Sequence, residues 1–464
     1  MPTPASPGAT PGPVPGSPGS PTPSYPLAEA ALLSRWPETR LEPSLDRIKA
    51  LCELLGDPQR SAPVIHLTGT NGKTSTARMV DSLVRGLGLR TGRFTSPHVE
   101  SMRERICVDG EPLSEQRFAE VFAEVAPYAE VVDRSGPHPV SFFEMVTAMA
   151  FAAFADAPVD VIILEVGMGG SWDATNVADA AVALVTPIAV DHANYLGESP
   201  VEIAEEKAGI IKPGSFGVLA QQPVEVAEVL LRRAVEVDAT VAREGLEFGV
   251  AERMAGVGGQ LVTLQGLDRE YPEIFVPLHG AHQAHNAVCA LVAVEALRGG
   301  DPIDVDVVKE AFGQVDSPAR LEVVRRSPTV VVDAAHNPAG AQATAEAVQE
   351  AFAFSPLVGV LGVMGDKDVE GLLEVLEPVM ASVVCSQNST SRSMPAESLG
   401  ELARGVFGPD RVVVRPRLDD AIDAAIGLAE EGGMLGEALG SGGVLVTGSV
   451  ITAGEARTLL KGHH

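Results

Sequence analysis

The sequence is poor in cysteine and in aromatic side chains. Its four cysteines lie far apart and form no CxxC or Cys/His cluster, so they predict neither a disulfide framework nor a zinc site. Free, buried thiols in a reducing cytosol are the expected state. Aromatic residues make up only 4% of the chain, and Ala, Val and Gly dominate instead. Two explanations for this bias remain open at this point. One is close packing in an α/β protein, and the other is a GC-rich coding sequence.

Positive charge and long apolar runs are also scarce. The chain has 34 Lys and Arg against 62 Asp and Glu, a formal net charge of −28. Proteins that bind nucleic acid or anionic membranes normally carry a basic face, so neither partner is expected. The N-terminus has no basic segment followed by an apolar run, and the apolar stretch 145–155 is too short to span a bilayer. We therefore expect a cytoplasmic protein. We also expect a monomer, although these features do not bear on the oligomeric state.

The rest of the composition is that of a globular protein with a large core, with 45% hydrophobic and 21% charged residues. Residues 1–26 differ, because they contain ten prolines and four glycines and predict a disordered tail. A boundary-like segment at 313–318 separates two series of alternating strand and helix patterns. We predict a first domain over 27–315 and a second over 316–464.

The strand patterns predict the fold class. Most are continuous runs of Val, Ile and Leu, as expected for strands buried on both faces of a parallel sheet. The predicted strands are 64–68, 159–166, 181–190, 218–220, 330–333, 358–363, 383–386, 412–414 and 444–447. Helical patterns alternate with them, so the sequence predicts an α/β protein with mostly parallel sheets and a Rossmann-like second domain. The segment 248–277 alternates instead and predicts a small antiparallel excursion.

A phosphate-binding loop follows the first predicted strand. Glycines in such a loop let backbone N–H groups face phosphate oxygens, while a lysine and a hydroxyl serve the β/γ-phosphates and Mg²⁺. The loop residues are Gly69, Thr70, Asn71, Gly72, Lys73, Thr74 and Ser75. Two residues separate the glycines where the usual pattern has four, and Leu67 stands at the missing glycine position. The strand before and the helix pattern after the loop support the phosphate-loop interpretation.

Polar residues follow other predicted strands at the sheet edge where ligands bind in parallel α/β folds. Glu165 ends one strand and could hold Mg²⁺, or could simply end the strand. His192 follows another, where a lone histidine is more often structural. Asp333 and His336 follow a strand of the second domain.

Two helical residues stand out by their surroundings. Ser199, Pro200 and Glu202 form a capping-box pattern that fixes the helix phase and places Lys207 on an apolar face. Lys207 is either a buried, reactive amine or a lysine that extends along the helix to solvent. Glu144, near the start of an almost entirely apolar helix, either faces a pocket or only complements the helix dipole.

The segment Thr68-Gly69-Thr70-Asn71-Gly72-Lys73-Thr74-Ser75 resembles the ATP loop of the Mur ligase superfamily. The chain resembles more closely the folylpolyglutamate synthases, including the bifunctional dihydrofolate synthase/folylpolyglutamate synthases, from about Leu27 onward. The resemblance implies ATP-dependent addition of L-glutamate to dihydropteroate and to the γ-carboxylate of tetrahydrofolates through an acyl phosphate. It implies ATP and Mg²⁺ at two sites as cofactors, with K⁺ as a further candidate.

The resemblance also implies roles for particular residues. The implied Mg²⁺ ligands are Thr74, Ser96, Glu165 and His192, and a carbamylated Lys207 is implied at the second Mg²⁺. Nucleotide contacts fall to loop residues 69–75 and to Asn286, Arg320, Asp333 and His336. The catalytic set is Lys73, Lys207, Asp333 and His336. Substrate contacts fall to Arg103, Arg105, Phe142, Phe143, Glu144, Ser171, Trp172 and Asp173, with a mobile loop near 95–106. The family usually has arginine where this chain has Ser171, so the substrate contact at this position is expected to differ.

Other functions remain open at the level of sequence. A synthase that acts on folates only is the nearest alternative. A peptidoglycan Mur-type ligase would need a sizeable UDP-binding domain before the phosphate loop, and only the short stretch 27–63 precedes it here. A nucleotide-binding regulator or transporter component without ligase activity is a third alternative, which the two-domain layout disfavours.

Overall fold

The computed structural model describes residues 22–37, 43–434 and 441–461. Most of the predicted tail, residues 1–21, lies outside the described residues. The first helix begins at Tyr25, two residues before the predicted start, with extended Ser24 at its N-cap and Pro26 in its first turn. Proline is favourable there because its fixed φ suits a helix start.

The first domain is built on an eight-stranded sheet. Its strands are β1 (Val64–Thr68), β2 (Thr91–Phe94), β3 (Ile106–Val108), β4 (Glu111–Pro112), β5 (Val161–Glu165), β6 (Val182–Val185), β7 (Phe216–Leu219) and β8 (Thr240–Arg243). Their order is β4-β3-β2-β5-β1-β6-β7-β8. All neighbouring strands from β2 to β8 pair in parallel, and β3 and β4 join antiparallel at one edge. The central strands β1 and β5 are buried along their whole length, as their continuous apolar runs predict.

Helices cover both faces of this sheet. They are α1 (Tyr25–Leu33), α2 (Asp46–Leu54), α3 (Lys73–Gly86), α4 (Glu115–Ser135), α5 (Phe142–Asp156), α6 (Ala193–Leu196), α7 (Pro200–Lys207), α8 (Val224–Glu236), α9 (Ala281–Leu297) and α10 (Val305–Gly313). One core lies under α3, α9 and α10, and another under α1, α2, α4 and α5. The predicted antiparallel excursion is present as β9 (Gly249–Gly256), β10 (Gly259–Gln265) and β11 (Glu270–Val276).

The second domain has its own six-stranded sheet. Its strands are β12 (Glu322–Arg326), β13 (Thr329–Val332), β14 (Leu357–Leu361), β15 (Ser382–Cys385), β16 (Val412–Val414) and β17 (Gly443–Thr447), in the order β12-β13-β17-β14-β15-β16. Only β12 is antiparallel to its neighbour. Its helices are α11 (Pro338–Ala351), α12 (Val369–Leu376), α13 (Ala396–Phe407), α14 (Leu418–Met434) and α15 (Val450–Lys461). The predicted two-domain α/β fold is confirmed.

One strand is much shorter than predicted. The apolar run 181–190 is a strand only to Val185, because Pro187 has no N–H to continue the ladder and the chain leaves the sheet there. Asp191 and His192 therefore lie in the loop that follows the carboxyl end of β6. In the part of the chain that the structure describes, no helix has the length and apolarity needed to cross a membrane.

Candidate active site

The phosphate loop lies at the carboxyl end of β1, and close packing explains its two glycines. Gly69 has φ +142°, and a Cβ there would overlap the hydroxyl of Thr186. Gly72 has φ +91°, and a Cβ there would lie 2.5 Å from Oδ1 of Asn286. The side chain of Asn286, predicted to contact nucleotide, therefore lies directly against the loop.

Lys73 and Thr74 are the first two residues of α3. Their side chains contact residues at the carboxyl ends of β1 and β5. Lys73 Nζ donates to the carbonyls of Gly69 at 2.9 Å and Thr70 at 3.1 Å. Burial lowers the pKa of Lys73, although Glu165 and Asp191 oppose this shift. The lysine therefore holds the loop in its curved conformation.

Glu165, at the end of β5, is the buried carboxylate beside the loop. It is 1% exposed, and it accepts the Thr74 hydroxyl at 2.8 Å and the backbone N–H of Ser96 at 3.2 Å. Burial raises the pKa of Glu165, while the charge of Lys73 acts in the opposite direction. Two separate segments thus bring hydroxyl and carboxylate oxygens to one point.

These donors fit a Mg²⁺ ion that is shared with nucleotide phosphates. Mg²⁺ is usually held by one or two carboxylates plus phosphate and water oxygens. Within the described residues, no group of three His, Cys, Asp or Glu side chains could hold a metal by itself. His192 can join the set as a neutral ligand, because burial lowers its pKa to about 4 even though Asp191 opposes the shift.

Asp191 is the centre of a polar network between the two domains. Its carboxylate accepts from Nζ of Lys367 at 2.5 Å and from Nδ2 of Asn337 at 3.2 Å, and lies 3.3 Å from Nε2 of His336. Burial would raise the pKa of Asp191, but the hydrogen bond of His336 and the charges of His192 and Lys367 hold it well below its usual range. The sequence assigned no role to Asp191 or to Lys367, because only the fold brings the two side chains together.

A cavity of about 620 Å³ extends from the phosphate loop between the domains, a size suited to a nucleotide. It is lined by loop residues 69–75 and by Ser96, Glu165, His192, Lys207, Asn286, Arg320, Asp333 and His336, all of them predicted site residues. Arg320 donates to its neighbour's carbonyl, Ala319 O, at 3.1 Å. The carboxylate of Asp333 accepts from the N–H groups of Leu321 and Ala335 and from the hydroxyl of Thr344, so it also organises the loop around it.

The lining of this cavity also includes residues that were not predicted from the sequence. Gln221 and Gln222 follow β7, and Glu244 follows β8. Glu244 contacts Nδ1 of His285, and this hydrogen bond raises the pKa of His285. Each lies in a region without a motif, and only the parallel sheet brings them together.

Lys207 lies deep in the same cavity. The predicted capping box is present at the start of α7, where the Ser199 hydroxyl accepts from the N–H of Glu202. Lys207 is 4% exposed, and its amine donates to the carbonyl of Gly69 at 2.9 Å. Burial, with a further contribution from the charge of Lys73, lowers its pKa to about 7. Burial therefore favours the neutral amine at this position.

A second cavity, of about 370 Å³, adjoins the first and shares Ser96, His192 and His336 with it. Its lining includes predicted residues Arg105, Phe143, Glu144, Trp172 and Asp173, and also Arg47, Lys367 and Arg392, to which the sequence assigned no role. Glu144 fits both interpretations given above. It completes a capping box with Ser141, and both of its oxygens lie 3.1 Å from Nε of Arg47.

Asp173 is held rigidly in the wall of this second cavity. Its carboxylate accepts from the N–H groups of Gly167 and Met168, and from the hydroxyl of Thr175 at 2.5 Å. The same hydroxyl lies 2.8 Å from Nε2 of His66. Burial raises the pKa of Asp173 to about 6, although its hydrogen bonds act in the opposite direction.

Three of the predicted substrate residues do not line either cavity. Phe142 is buried in the helical core beneath the guanidinium of Arg105. Arg103 instead donates to the carbonyl of Leu113 and lies over the ring of Tyr25. The hydroxyl of Ser171 donates to the carbonyl of Glu206 and faces a separate surface cavity. Arg103 and Arg105 lie in a 3-10 turn, Phe142 and Phe143 in the first turn of α5, and Ser171 and Trp172 in the loop after β5. In each pair the two side chains leave the backbone in different directions, and only one of them lines the second cavity.

Comparisons with known proteins agree with this arrangement. The Mur ligase middle domain matches residues 128–294, and the Mur ligase glutamate ligase domain matches residues 319–450. A Mycobacterium tuberculosis dihydrofolate synthase/folylpolyglutamate synthase is 52% identical over 451 residues, which are 93% of each chain. An Escherichia coli protein of the same description is 32% identical and covers 77% of this chain and 80% of its own.

The chain belongs to the dihydrofolate synthase/folylpolyglutamate synthase family of Mur ligases.

Solved structures of this family share the fold described above. The M. tuberculosis folylpolyglutamate synthase complexed with ADP superposes with a TM-score of 0.91 at 52% identity, covering 94% of this chain and 98% of its own. The E. coli FolC structure in complex with DHPP and ADP gives a TM-score of 0.82 at 28% identity, with 95% and 98% covered. Family membership makes this chain an ATP-dependent ligase.

Proposed function

We propose that the chain is a bifunctional ligase that adds L-glutamate to dihydropteroate and to the γ-carboxylate of tetrahydrofolates. One observation carries this proposal. The cavity at the phosphate loop and the second cavity meet at Ser96, His192 and His336. A phosphoryl donor in one and a carboxylate in the other would therefore come into contact at that junction.

The residues of the first cavity bind and orient the nucleotide. The N–H groups of the loop and the amine of Lys73 hold the phosphates, and Arg320 reaches the same cavity from the second domain. Thr74, Ser96, Glu165 and His192 would hold one Mg²⁺, and a carbamylated Lys207 would take part in holding a second. When bound, Mg²⁺ neutralises charge on the transferred phosphoryl group.

The reaction needs no covalent nucleophile from the protein. A carboxylate oxygen of the substrate attacks the γ-phosphorus, ADP leaves, and an acyl phosphate forms. The amine of glutamate then attacks the acyl carbon, and inorganic phosphate leaves as the amide bond forms. Catalysis is therefore mainly positioning and charge neutralisation.

The second cavity binds the acceptor and glutamate. Phe143, Trp172 and Asp173 form the wall suited to a flat, hydrogen-bonding pterin ring. Lys367 and Arg392 line the same cavity from the second domain, so we assign them the carboxylates of glutamate. His336 and Asp191 lie at the junction and orient Lys367 towards the reacting groups.

The relatives support the choice of substrates. One related structure is the E. coli complex with DHPP and ADP, and another is a complex of a folylpolyglutamate synthase with AMPPCP and folate. The M. tuberculosis and E. coli relatives are named for both activities, whereas one from Lacticaseibacillus casei is named folylpolyglutamate synthase alone. A ligase acting on folates only is therefore the second candidate.

Phosphate release tests the proposal. The enzyme is assayed with ATP, Mg²⁺ and L-glutamate, with dihydropteroate, with tetrahydrofolate or with neither, and with K⁺ present or omitted. We expect both pterins to stimulate release only when glutamate is present. Stimulation by tetrahydrofolate alone would select the second candidate, and stimulation by neither would overturn the folate assignment. We further propose that the enzyme works in the cytoplasm. We also propose that it works as a monomer, since one chain supplies every assigned residue.

A further inference from the structure

A third cavity, of about 730 Å³, opens on the surface of the first domain and has no part in the proposed reaction. It lies between α2, the turn at 58–60, the segment 171–179 and helices α7 and α8. Its charged lining consists of Lys49, Arg60, Lys212, Arg232 and Arg233 against Asp179, Glu205 and Glu236. We call it the anion cavity. An excess of cations in one cavity contrasts with a whole-chain charge of −28.

Two of these cations build the cavity wall. Lys212 Nζ donates to the carbonyls of Asn176 and Ala178, both at 2.7 Å, and also lies 3.5 Å from Asp179. Arg233 donates to the carbonyl of Ile211 at 3.1 Å and lies 3.8 Å from Glu236. Two of the three acidic residues are therefore already paired with wall cations.

The other three cations are available to a ligand. Lys49, Arg60 and Arg232 are exposed, and the side chain of none of them has a hydrogen bond or ion pair with a residue that the structure describes. They come from three different elements, α2, the turn at 58–60 and α8, and converge on one cavity. Burial lowers the pKa of Lys212, and the positive charge of Lys49 adds to this shift, although Asp179 opposes it. The fields of the cations therefore overlap.

We propose that the anion cavity binds a small molecule with several clustered negative charges, either carboxylates or phosphates. Guanidinium groups match both carboxylate and phosphate oxygens with paired hydrogen bonds, and an ammonium group adds a point charge. Three unpaired cations from separate elements suit a ligand with at least two anionic groups. The volume also exceeds what a single phosphate ion fills.

The cavity shares its inner wall with the proposed substrate cleft. In the segment after β5, Ser171 and Asn176 face the anion cavity, whereas Trp172 and Asp173 face the second cavity. On α2, Lys49 faces the anion cavity, and Arg47 faces the cleft. If the proposed function holds, the reaction itself produces both ligand types, an oligo-γ-glutamate chain and phosphate. The binding test below does not depend on activity.

Isothermal titration calorimetry tests the site with two probes, tri-γ-glutamate and pyrophosphate. The full chain is first saturated with AMPPCP, Mg²⁺ and folate, so that the two cleft cavities are filled. The variant Lys49→Gln/Arg60→Gln/Arg232→Gln removes the three free cations. The control variant Lys309→Gln/Arg326→Gln/Arg404→Gln removes one lysine and two arginines that do not line this cavity.

We expect at least one probe to bind one site per chain, at least tenfold more weakly in the triple variant and unchanged in the control. Tighter binding of tri-γ-glutamate identifies a carboxylate site, and tighter binding of pyrophosphate identifies a phosphate site. Absence of binding by both probes, or equal weakening in both variants, would overturn the proposal. Equal melting temperatures of the two variants show that loss of binding is not loss of folding. Phosphate release by the triple variant separates this result from failure of the proposed function.

Discussion

At the scale of single residues, the most informative groups are buried titratable side chains with few partners. His66 in the middle of β1 is fully buried, its Nε2 faces Thr175, and its Nδ1 has no partner among the described residues. Burial, with a smaller effect from the charge of Lys212, lowers its pKa to about 3. The Thr175 hydroxyl donates to Asp173, so the His66 Nε2–H must donate to Thr175. A neutral histidine is therefore part of the support of the cleft wall.

His66 predicts a specific acid sensitivity. Its pKa in the folded state lies below the unfolded value of about 6.5, so the unfolded chain binds the extra proton as pH falls. Stability is unaffected above pH 6.5 and declines towards pH 3, by about 1.4 kcal/mol per pH unit. We expect His66→Gln, which keeps a donor for Thr175, to lose roughly 2 kcal/mol less than the wild type between pH 6.5 and 5. Urea unfolding at both pH values measures this. Parallel pH profiles of the two proteins would refute a neutral His66.

Thr175 predicts an effect on substrate binding rather than on nucleotide binding. Thr175→Val removes the hydroxyl that donates to Asp173 and accepts from His66, so Asp173 loses its shortest hydrogen bond. We expect the KM for dihydropteroate to rise roughly tenfold, as for a lost hydrogen bond of about 1–2 kcal/mol. The KM for ATP should stay within twofold, and Thr175→Ser, which keeps the hydroxyl, should restore the KM for dihydropteroate. A rise in both KM values would indicate a general loss of structure instead.

At the scale of elements, the sequence predicted those whose signal is local. Continuous apolar runs predicted the central strands, and the strand, glycine loop and helix order predicted the phosphate loop. Strands β2, β8 and β12 were missed because polar and charged residues such as Arg93, Arg243 and Arg325 interrupt their apolar pattern. The very short β3 and β4 were missed as well. Asp191, Lys367 and Arg47 were missed for another reason. The sequence assigned no role to any of them, because only the packing of distant segments gives each its partner.

We predict that Gly72 is needed for nucleotide binding for two reasons. It adopts a left-handed backbone conformation, and its missing side chain leaves room for Asn286. In Gly72→Ala, φ of +91° is strained and the new Cβ meets Asn286 at 2.5 Å. Gly88→Ala is the matched control, since Gly88 has φ +78° but a Cβ there would have no neighbouring atom within 4 Å. We expect both variants to lose about 1–2 kcal/mol of stability from the left-handed backbone. Only Gly72→Ala should weaken ADP binding, by more than tenfold in calorimetry. Equal ADP affinity of the two variants would mean that the Asn286 contact is unimportant.

At the scale of the whole molecule, the acidic chain must accept anionic substrates. Salt screens the interactions of exposed charges beyond about 8 Å at physiological ionic strength. The electrostatic potential in the cleft is therefore set by the cations within it. The two domains bring them together. Lys73 and Arg47 come from the first domain, and Arg320, Lys367 and Arg392 come from the second. The site is therefore complete only when both domains are in place, which ties catalysis to their relative position.

Lys367 tests this dependence. Its amine pairs with Asp191 of the first domain and lies 3.4 Å from Nε2 of His192, so it both links the domains and supplies charge at the junction. Lys367→Met keeps most of the side-chain volume but removes both functions. We expect substrate-dependent phosphate release to fall by more than 100-fold, while ADP affinity changes less than threefold, because the phosphate loop is untouched. Lys309→Met, on the surface of α10, should leave both quantities unchanged. Wild-type turnover by Lys367→Met would show that the reaction does not occur at the junction around Asp191. The active centre would then have to be assigned to another part of the cleft.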